Sequence, residues 1–276
     1  MDYEAAAIKR LRYGAEMAAS MFEKPLLIAY SGGKDSDVLL HIAKKANIDF
    51  EVKHNLTTVD APQTIHHIRK VFQELEMAGF ECTFSKPVYK KEPTTMWKLI
   101  VSKGIPPTRR IRYCCDVLKE SGGEKTIIST GVRWAESASR KNNRGVIERQ
   151  SYKRENSLIL LNDNDESRRT FENCYRKGKS IVNPIIDWPN EVLLDYIEAE
   201  KIPMNSLYAV GFTRIGCIGC PMAGKKRHME FEMFPSYKKA YLRAFEKMLE
   251  KRRTQGKETN EVWKDAQSVF DWWING

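Results

Sequence analysis

Apolar and polar positions along the first half of the chain follow the pattern of alternating strands and helices. Residues 26–30 form a short apolar run that ends at a Gly-Gly turn, and residues 37–46 then carry apolar side chains at helical spacing. Further strands are predicted near residues 50–59, 81–84 and 125–130, and further helices near 3–21 and 64–78. This alternation predicts an α/β fold, a parallel sheet with helices on both faces.

The second half of the chain has a less regular pattern. Residues 142–180 are polar and charged and predict loops, with an antiparallel ribbon at 157–162. Helices are predicted at 191–200 and at 236–253. We therefore predict an N-terminal helix at 1–24, one α/β domain at 25–221 and a basic, helical C-terminal extension at 222–276.

Composition restricts the class of protein. The 276 residues are 42% hydrophobic and 30% charged, which is enough apolar material for a core without disulfides. No apolar run approaches the roughly 18 residues of a membrane-spanning helix. The N-terminus lacks the basic and then apolar pattern of a secretory signal. We expect a cytoplasmic protein that has no membrane partner.

The net charge of +10 is concentrated in one stretch of the sequence. Residues 98–154 hold 14 Lys or Arg against 5 Asp or Glu. Such a run is usually a solvated face. This one, however, surrounds two adjacent cysteines and a Gly-x-Arg segment, so it favours an anionic substrate, either a nucleotide or a nucleic acid.

The turn after the first predicted strand is suited to binding phosphate. It reads Ser31, Gly32, Gly33, Lys34, Asp35 and Ser36. It lies between a strand and a helix, where open α/β sheets bind ligands, and its glycines let the backbone approach a ligand closely. The alternative is an ordinary Gly-Gly turn with Asp35 or Ser36 capping the helix. The segment lacks the spacing of a Walker A loop.

The turn resembles the PP-loop of the adenine nucleotide α-hydrolase-like superfamily, which includes ATP pyrophosphatases and the phosphoadenosine phosphosulfate (PAPS) reductase family. The resemblance implies a Rossmann-like sheet and an adenine nucleotide as ligand. It also implies cleavage between the α and β phosphates in members that use ATP. On this resemblance the whole turn binds the nucleotide, with Lys34 and Asp35 as catalytic residues. We also expect Asp60 in the nucleotide site.

Six cysteines in a cytosolic protein indicate metal or redox chemistry rather than disulfides. Cys217 and Cys220 form a Cys-x2-Cys knuckle, and Cys114 and Cys115 are adjacent about one hundred residues upstream. Four thiolates in two pairs can complete a zinc or an iron–sulfur site. Adjacent cysteines suit structural zinc poorly, but spacing alone leaves zinc, iron–sulfur and redox roles open.

The two remaining cysteines are harder to interpret. Cys82 lies on a predicted strand, which is typical of a packed core residue. Cys174 lies in a polar loop with four nearby basic residues. It is either a sulfur carrier with a lowered pKa or a surface thiol without a role.

The cysteine pattern resembles the [4Fe–4S] site of the assimilatory adenosine phosphosulfate (APS) reductases. A second segment is similar to the Gly-x-Arg...Ser...Arg segment of that family and contains Gly131, Arg133, Glu136, Ser137 and Arg140. The similarity implies that these five residues contact the nucleotide and that Arg133 is catalytic. It also implies a [4Fe–4S] cluster held by Cys114, Cys115, Cys217 and Cys220.

The sequence departs from the reductases in one respect, because no cysteine follows Cys220 where a reductase carries its nucleophile. This favours an ATP pyrophosphatase, which cleaves ATP to AMP and pyrophosphate with Mg²⁺ during sulfur transfer. Residues 112–119 are similar to the pyrophosphatase of DNA phosphorothioation systems. The implied partners are a nucleic-acid acceptor and a sulfur-donor protein such as a cysteine desulfurase.

Two other functions stay open on the sequence. One is a sulfonucleotide reductase that acts on APS or PAPS, releases sulfite and uses Cys174 as its thiol. The other is a non-catalytic subunit that binds a nucleotide or a nucleic acid and whose cluster is structural.

Overall fold

The computed structural model describes residues 2–120, 125–150, 158–160, 179–257 and 262–276, and the chain forms two compact units. Unit 1 comprises Met1–His54, Gln63–Thr83 and Gly122–Ile215. Unit 2 comprises Asn55–Pro62, Phe84–Ser121 and Gly216–Gly276. The domain boundaries predicted at residues 24 and 221 stay a prediction.

The described helices and strands follow one another in this chain order: α1 Tyr3–Phe22, β1 Leu26–Ala29, α2 Lys34–Lys45, β2 Phe50–Asn55, α3 Pro62–Met77, β3 Cys82–Ser85, β4 Val88–Tyr89, β5 Glu92–Pro93, α4 Met96–Lys103, β6 Ile127–Ser129, α5 Ala138–Asn143, β7 Ile147–Gln150, β8 Leu158–Leu160, β9 Lys179–Val182, α6 Asn190–Ala199, α7 Lys226–Met233, α8 Pro235–Thr254 and α9 Ala266–Asn275. A π-helical turn at Cys115–Lys119 and a 3-10 turn at Trp134–Glu136 lie between them.

Seven strands of the described chain form one sheet, in the order β3-β2-β1-β6-β9-β7-β8. β1 pairs in parallel with β2 and with β6, and β6 pairs in parallel with β9. β7 pairs antiparallel with β9 and with β8. This confirms the predicted Rossmann-like α/β class. The antiparallel ribbon predicted at 157–162 is present in its described part, residues 158–160.

The strand order creates a place for a ligand at β1. The chain passes from β1 through β2 to β3 on one side and through β6 to β9 on the other. The direction of winding therefore reverses between β1 and β6, and open α/β sheets bind ligands outside the carboxyl ends of the strands at such a point. The loops that follow β1 and β6 both begin at this edge.

A buried ion pair fastens α1 to the segment that follows β9. Arg10 projects from the middle of α1, and its guanidinium donates to the carbonyl of Pro184 at 2.8 Å. It also donates to both carboxylate oxygens of Asp187, each at 2.8 Å. The side chains of Arg10 and Asp187 are only 8% and 19% exposed. This two-pronged geometry matches the fixed guanidinium fork.

Unit 2 is largely helical around an aromatic cluster. Phe231, Tyr241, Phe245 and Trp273 lie with ring centroids 4.7 to 6.1 Å apart in their contacting pairs. Arg227 donates to the carbonyls of Trp273 and Ile274 at 2.8 and 2.9 Å, which satisfies acceptors at the end of α9. The predicted C-terminal helices are therefore confirmed. No described helix has the length and apolar character needed to cross a membrane.

We expect Arg10→Ala to lower the free energy of unfolding by about 3 kcal/mol, because it leaves Asp187 largely buried without its partner. Urea unfolding measures this. Lys9→Ala is the matched control on the same helix, since Lys9 is exposed. It should change the free energy by less than about 0.5 kcal/mol. Equal effects of the two variants would show that the ion pair contributes nothing.

Candidate functional site

The loop after β1 is closed by one buried hydroxyl. Ser36 Oγ donates to the carbonyl of Gly33 at 2.7 Å and accepts from the backbone N–H of Gly33 at 3.2 Å. It also accepts from the backbone N–H of Ser31 at 3.3 Å. α2 begins at Lys34 with Gly33 as its cap residue. The N-cap residue is therefore Gly33 rather than Asp35 or Ser36, and Ser36 closes a capping box with it.

Two glycines allow the loops after β1 and β6 to approach each other. Gly32 has a φ of +71°, and a Cβ there would lie 2.8 Å from Ile68 Cγ1. A Cβ on Gly131 would lie 2.8 Å from the carbonyl oxygen of Asp35. Because backbone cannot move aside as a flexible side chain does, only glycine fits at position 131. The structure thus brings together two of the segments predicted to bind the nucleotide.

Two residues outside the set predicted from the sequence also hold the loop. Tyr208 Oη accepts from the backbone N–H of Lys34 at 2.9 Å. Asn205 Nδ2 donates to the carbonyl of Gly32 and to Thr64 Oγ1, both at 3.2 Å. Burial raises the pKa of Tyr208 to about 12, so its hydroxyl stays protonated. Spacing along the chain does not place either residue at this loop, because their partners lie more than 140 positions away.

Arg133 is buried, with 1% of its side chain exposed, and it positions Asp35. Its Nε donates to Asp35 Oδ1 at 2.5 Å. Its two terminal nitrogens donate to the carbonyl of Trp188 at 2.9 Å and to Asn190 Oδ1 at 3.0 Å. Three of the five guanidinium N–H donors are thus used by the protein. The predicted contact of Arg133 with a phosphate is left to the remaining donors.

Positive charge is crowded where the second segment continues. Glu136 accepts from the backbone N–H of Arg133 at 3.0 Å and pairs with Arg140, while Ser137 Oγ caps α5 by accepting from the N–H of Arg140. Burial and the nearby charges of Arg214 and Arg144 lower the pKa of Arg140 to about 10. Arg214 is exposed and pairs with no carboxylate in the described part of the chain. An anion placed here would relieve this repulsion.

A buried polar network links the two ends of the loop. Tyr30 directly precedes the loop, and its hydroxyl donates to Asp37 Oδ1 in the first turn of α2. His67 Nε2 lies 3.0 Å from the same oxygen and 3.2 Å from Tyr30 Oη. Burial, with Asp37 next in effect, raises the pKa of Tyr30 well above its usual value. The network therefore keeps the phenol protonated and fixes where the loop begins and ends.

The four cysteines predicted as ligands all lie in unit 2. Cys114 precedes the π-helical turn that Cys115 begins, and Cys217 and Cys220 bracket a turn at Gly219, whose φ is +75°. Asp60 is also in unit 2, where it forms an antiparallel bridge with Cys217. Its side chain accepts from the N–H of Thr57 at 2.8 Å. The structure thus places Asp60 beside a cysteine, and its predicted contact with a nucleotide stays a prediction.

The four thiols lie close enough to influence one another. The hydrogen bond with Cys115, burial and the charges of Cys217 and Cys220 raise the pKa of Cys114 well above its usual value. The pKa of Cys115 is lowered to about 6, by its hydrogen bond with Cys114 first and then by Arg112 and Lys119.

Arg112 Nη2 donates to Cys115 Sγ at 3.2 Å. The charges of Cys217, Cys220 and Cys115, in decreasing order of effect, raise the pKa of Lys119. Two cations therefore accompany the thiols.

This donor set has the chemistry of a soft, thiolate-bound group. Within the described residues, however, no three His, Cys, Asp or Glu side chains form a group that could hold a metal ion.

Cys82, predicted as a core residue, is only half-buried, and burial raises its pKa to about 11. Its thiol therefore stays protonated at neutral pH. Cys174 lies outside the described residues.

Comparison with known proteins identifies relatives whose similarity extends over parts of both units. Residues 25–223 match the family model of the phosphoadenosine phosphosulfate reductase domain. Uncharacterized protein MJ0066 of Methanocaldococcus jannaschii is 27% identical over 209 residues, which cover 72% of this chain and 36% of that protein. Sulfate adenylyltransferase subunit 2 of Agrobacterium fabrum is 27% identical over 195 residues, 69% of this chain and 59% of that protein. The chain spans less than two thirds of these curated relatives.

Among solved structures, the phosphoadenylyl-sulfate (PAPS) reductase from Candida auris is similar to this chain with a TM-score of 0.47 and 18% identity. The similarity covers 77% of this chain and 88% of that chain. It is too weak to indicate a shared site.

We expect Gly131→Ala to lower the free energy of unfolding by about 1–3 kcal/mol, because its Cβ meets the backbone of Asp35. Urea unfolding measures the change. Gly216→Ala is the matched control, since a Cβ there has open space around it. If both variants unfold like the unchanged protein, the close approach of the two loops is not a packing constraint.

Proposed function

The chain belongs to the phosphoadenosine phosphosulfate reductase domain family, and from this premise we propose that it is an ATP pyrophosphatase of sulfur transfer. The family comprises PP-loop proteins that act on adenine nucleotides. The observation that carries the proposal is the contact between the loops after β1 and β6 at Gly131, with crowded positive charge next to it. In this function the enzyme cleaves ATP to AMP and pyrophosphate while it adenylates an acceptor, which is then open to attack by sulfur.

The arrangement of charge supports a polyphosphate as the ligand. Lys34 lies in the first turn of α2, where the helix dipole also favours an anion. Arg140 and Arg214 add two guanidinium groups in the same unit, and Arg214 has no carboxylate partner among the described residues. A nucleoside triphosphate carries more negative charge than APS and so compensates more of this positive charge.

The name of one relative supports cleavage between the α and β phosphates. Sulfate adenylyltransferase transfers an adenylyl group, and transfer of an adenylyl group from ATP breaks the α–β bond and releases pyrophosphate. We propose the same bond cleavage for this chain. The electron pair of the broken P–O bond leaves with pyrophosphate, and an oxygen of the acceptor forms the new bond to the α phosphorus.

Each predicted catalytic residue has a role in this reaction. Lys34 neutralises charge that develops on the leaving pyrophosphate. Asp35 is the carboxylate that would hold Mg²⁺, and a bound Mg²⁺ ion would neutralise negative charge on the phosphates. Arg133 is a positioning residue for Asp35, because its Nε donates to Asp35 Oδ1.

We also propose that Cys114, Cys115, Cys217 and Cys220 hold a [4Fe–4S] cluster. Four sulfur donors with the cations Arg112 and Lys119 beside them suit a group of net negative charge. A bound cluster would supply iron sites for sulfur or electron transfer.

The acceptor in this proposal is a nucleic acid, and the sulfur comes from a donor protein such as a cysteine desulfurase. The net positive charge supports an acidic acceptor. If the protein instead released sulfite from APS or PAPS with a thiol reductant, it would be a sulfonucleotide reductase.

Lys34→Ala should lower the rate of pyrophosphate release from ATP about 100-fold, because it removes the charge that meets the leaving group. The assay uses the reconstituted protein with ATP and Mg²⁺, with and without nucleic acid. Lys44→Ala, an exposed position near the other end of α2, is the control and should leave the rate unchanged. No pyrophosphate from the unchanged protein under either condition would contradict the proposed function.

The cluster has its own test, in iron and acid-labile sulfide content after anaerobic purification. We expect about four of each per chain and a brown colour, both lost in Cys115→Ala. Cys82→Ala is the matched control, since Cys82 is also half-buried but lies on β3, and it should keep the full content. A colourless protein with one zinc ion would show that the thiols hold zinc instead.

A further inference from the structure

Unit 2 carries nearly all of the net charge of the chain. It holds 21 Lys or Arg against 12 Asp or Glu, a net +9, whereas unit 1 has a net charge of +1. Along the sequence the excess positive charge is concentrated in residues 98–154, but residues 122–154 belong to unit 1. The positive charge is therefore a property of the unit that contains the four cysteines.

Part of this charge gathers around the β4–β5 hairpin, as the hairpin lysine cluster of Lys90, Lys91, Lys98, Lys103 and Lys251. Lys103 Nζ lies 4.7 Å from the ring centre of Tyr89 on β4, and Lys90 Nζ lies 5.7 Å from it. Lys98 Nζ donates to the carbonyl of Pro93 on β5 at 3.3 Å. Lys251 reaches the region from α8, where it donates to the carbonyl of Ser102 at 3.4 Å.

The cluster has no internal compensation. None of its five lysines pairs with a carboxylate in the part of the chain that the structure describes, and the hairpin's own carboxylate, Glu92, is exposed. Ammonium groups without carboxylate partners attract mobile anions. A polyanion that displaces the mobile anions binds with a gain in entropy.

Two of these lysines lie at the tip of the hairpin in a backbone conformation that is unusual for lysine. Lys90 and Lys91 form the two-residue turn between β4 and β5, with φ values of +53° and +68°. Turns with a left-handed conformation at both positions favour Asn-Gly. Asn and Gly adopt this conformation readily, whereas lysine is strained in it. The chain thus places two ammonium groups at the tip although other residues would form the turn with less strain.

We propose that the hairpin lysine cluster and Tyr89 form a surface that binds single-stranded nucleic acid. The ammonium groups contact successive phosphates, and the half-exposed ring of Tyr89 stacks on a base. The ring favours this occupant over an acidic protein, because an acidic protein would match the charge but would not need an exposed aromatic side chain. The inference rests on the proposed function in making this nucleic acid the acceptor, whereas the binding itself needs no ATP cleavage.

The test measures binding of a fluorescently labelled single-stranded oligonucleotide to the full chain by anisotropy at several salt concentrations, without ATP. The double variant Lys90→Asn with Lys91→Gly removes two charges and relaxes the turn, so loss of binding cannot come from a strained hairpin. We expect about 10-fold weaker binding and a salt slope smaller by about 1.4, since each phosphate contact on a single strand contributes about 0.7.

Matched controls separate the surface from charge in general. Lys238→Ala with Lys239→Ala removes an adjacent lysine pair elsewhere in unit 2 and should leave affinity nearly unchanged. Tyr89→Ala should weaken binding several-fold, whereas Tyr89→Phe keeps the ring and should bind like the unchanged protein.

Unchanged affinity and salt slope in the hairpin variant would overturn the inference. The inference would also be overturned if the hairpin variant lost binding to an acidic protein but still bound the oligonucleotide. Pyrophosphate release is measured separately, and the hairpin variant should keep the basal rate without nucleic acid. If the unchanged protein releases no pyrophosphate but the hairpin variant still loses oligonucleotide binding, the proposed function fails and this surface stands.

Discussion

The candidate nucleotide site depends on the contact between two backbone segments at the edge of the sheet. The loop after β6 can lie against the loop after β1 only because Gly131 has no side chain, since a Cβ there would meet the carbonyl oxygen of Asp35 at 2.8 Å. Once this contact is made, Arg133 is buried and reaches Asp35, and Glu136 accepts from its backbone. The carboxylate and the crowded guanidinium groups of unit 1 are therefore placed by packing rather than by their local sequence.

Much of the fold could be predicted from the sequence because its elements are local. Apolar runs of strand length, separated by helical periodicity, are sufficient to place β1, α2 and the turn between them. The buried Ser36 and the positive φ of Gly32 agree with the interpretation of that turn as an anion-binding loop. The helix near the C-terminus was likewise predictable, since its apolar face repeats with helical period.

Other features could not be predicted, since they depend on contacts between distant positions. Tyr208 and Asn205 hold the loop across more than 170 residues of sequence, a contact that local periodicity does not reveal. The antiparallel bridge between Asp60 and Cys217 is another contact between distant positions. The charge was located in a continuous stretch, whereas the chain gathers it in unit 2 from three separate segments.

The two units differ in the chemistry that they present. Unit 1 offers the glycine-rich loop after β1 and crowded guanidinium groups, and unit 2 offers thiols accompanied by cations and a surface rich in lysine. This division fits a reaction in which activation by a nucleotide and delivery of sulfur are separate steps, as the proposed function requires. The same division explains why the charge, the cysteines and the glycine-rich loop each indicate only one part of the proposed function.

The most direct test of the account is which bond of ATP the protein breaks. Incubation of the reconstituted protein with ATP labelled at the α phosphate, followed by separation of the products, answers this. We predict labelled AMP, or a labelled adenylylated acceptor, with an equal amount of pyrophosphate. Labelled ADP with free phosphate would contradict the account.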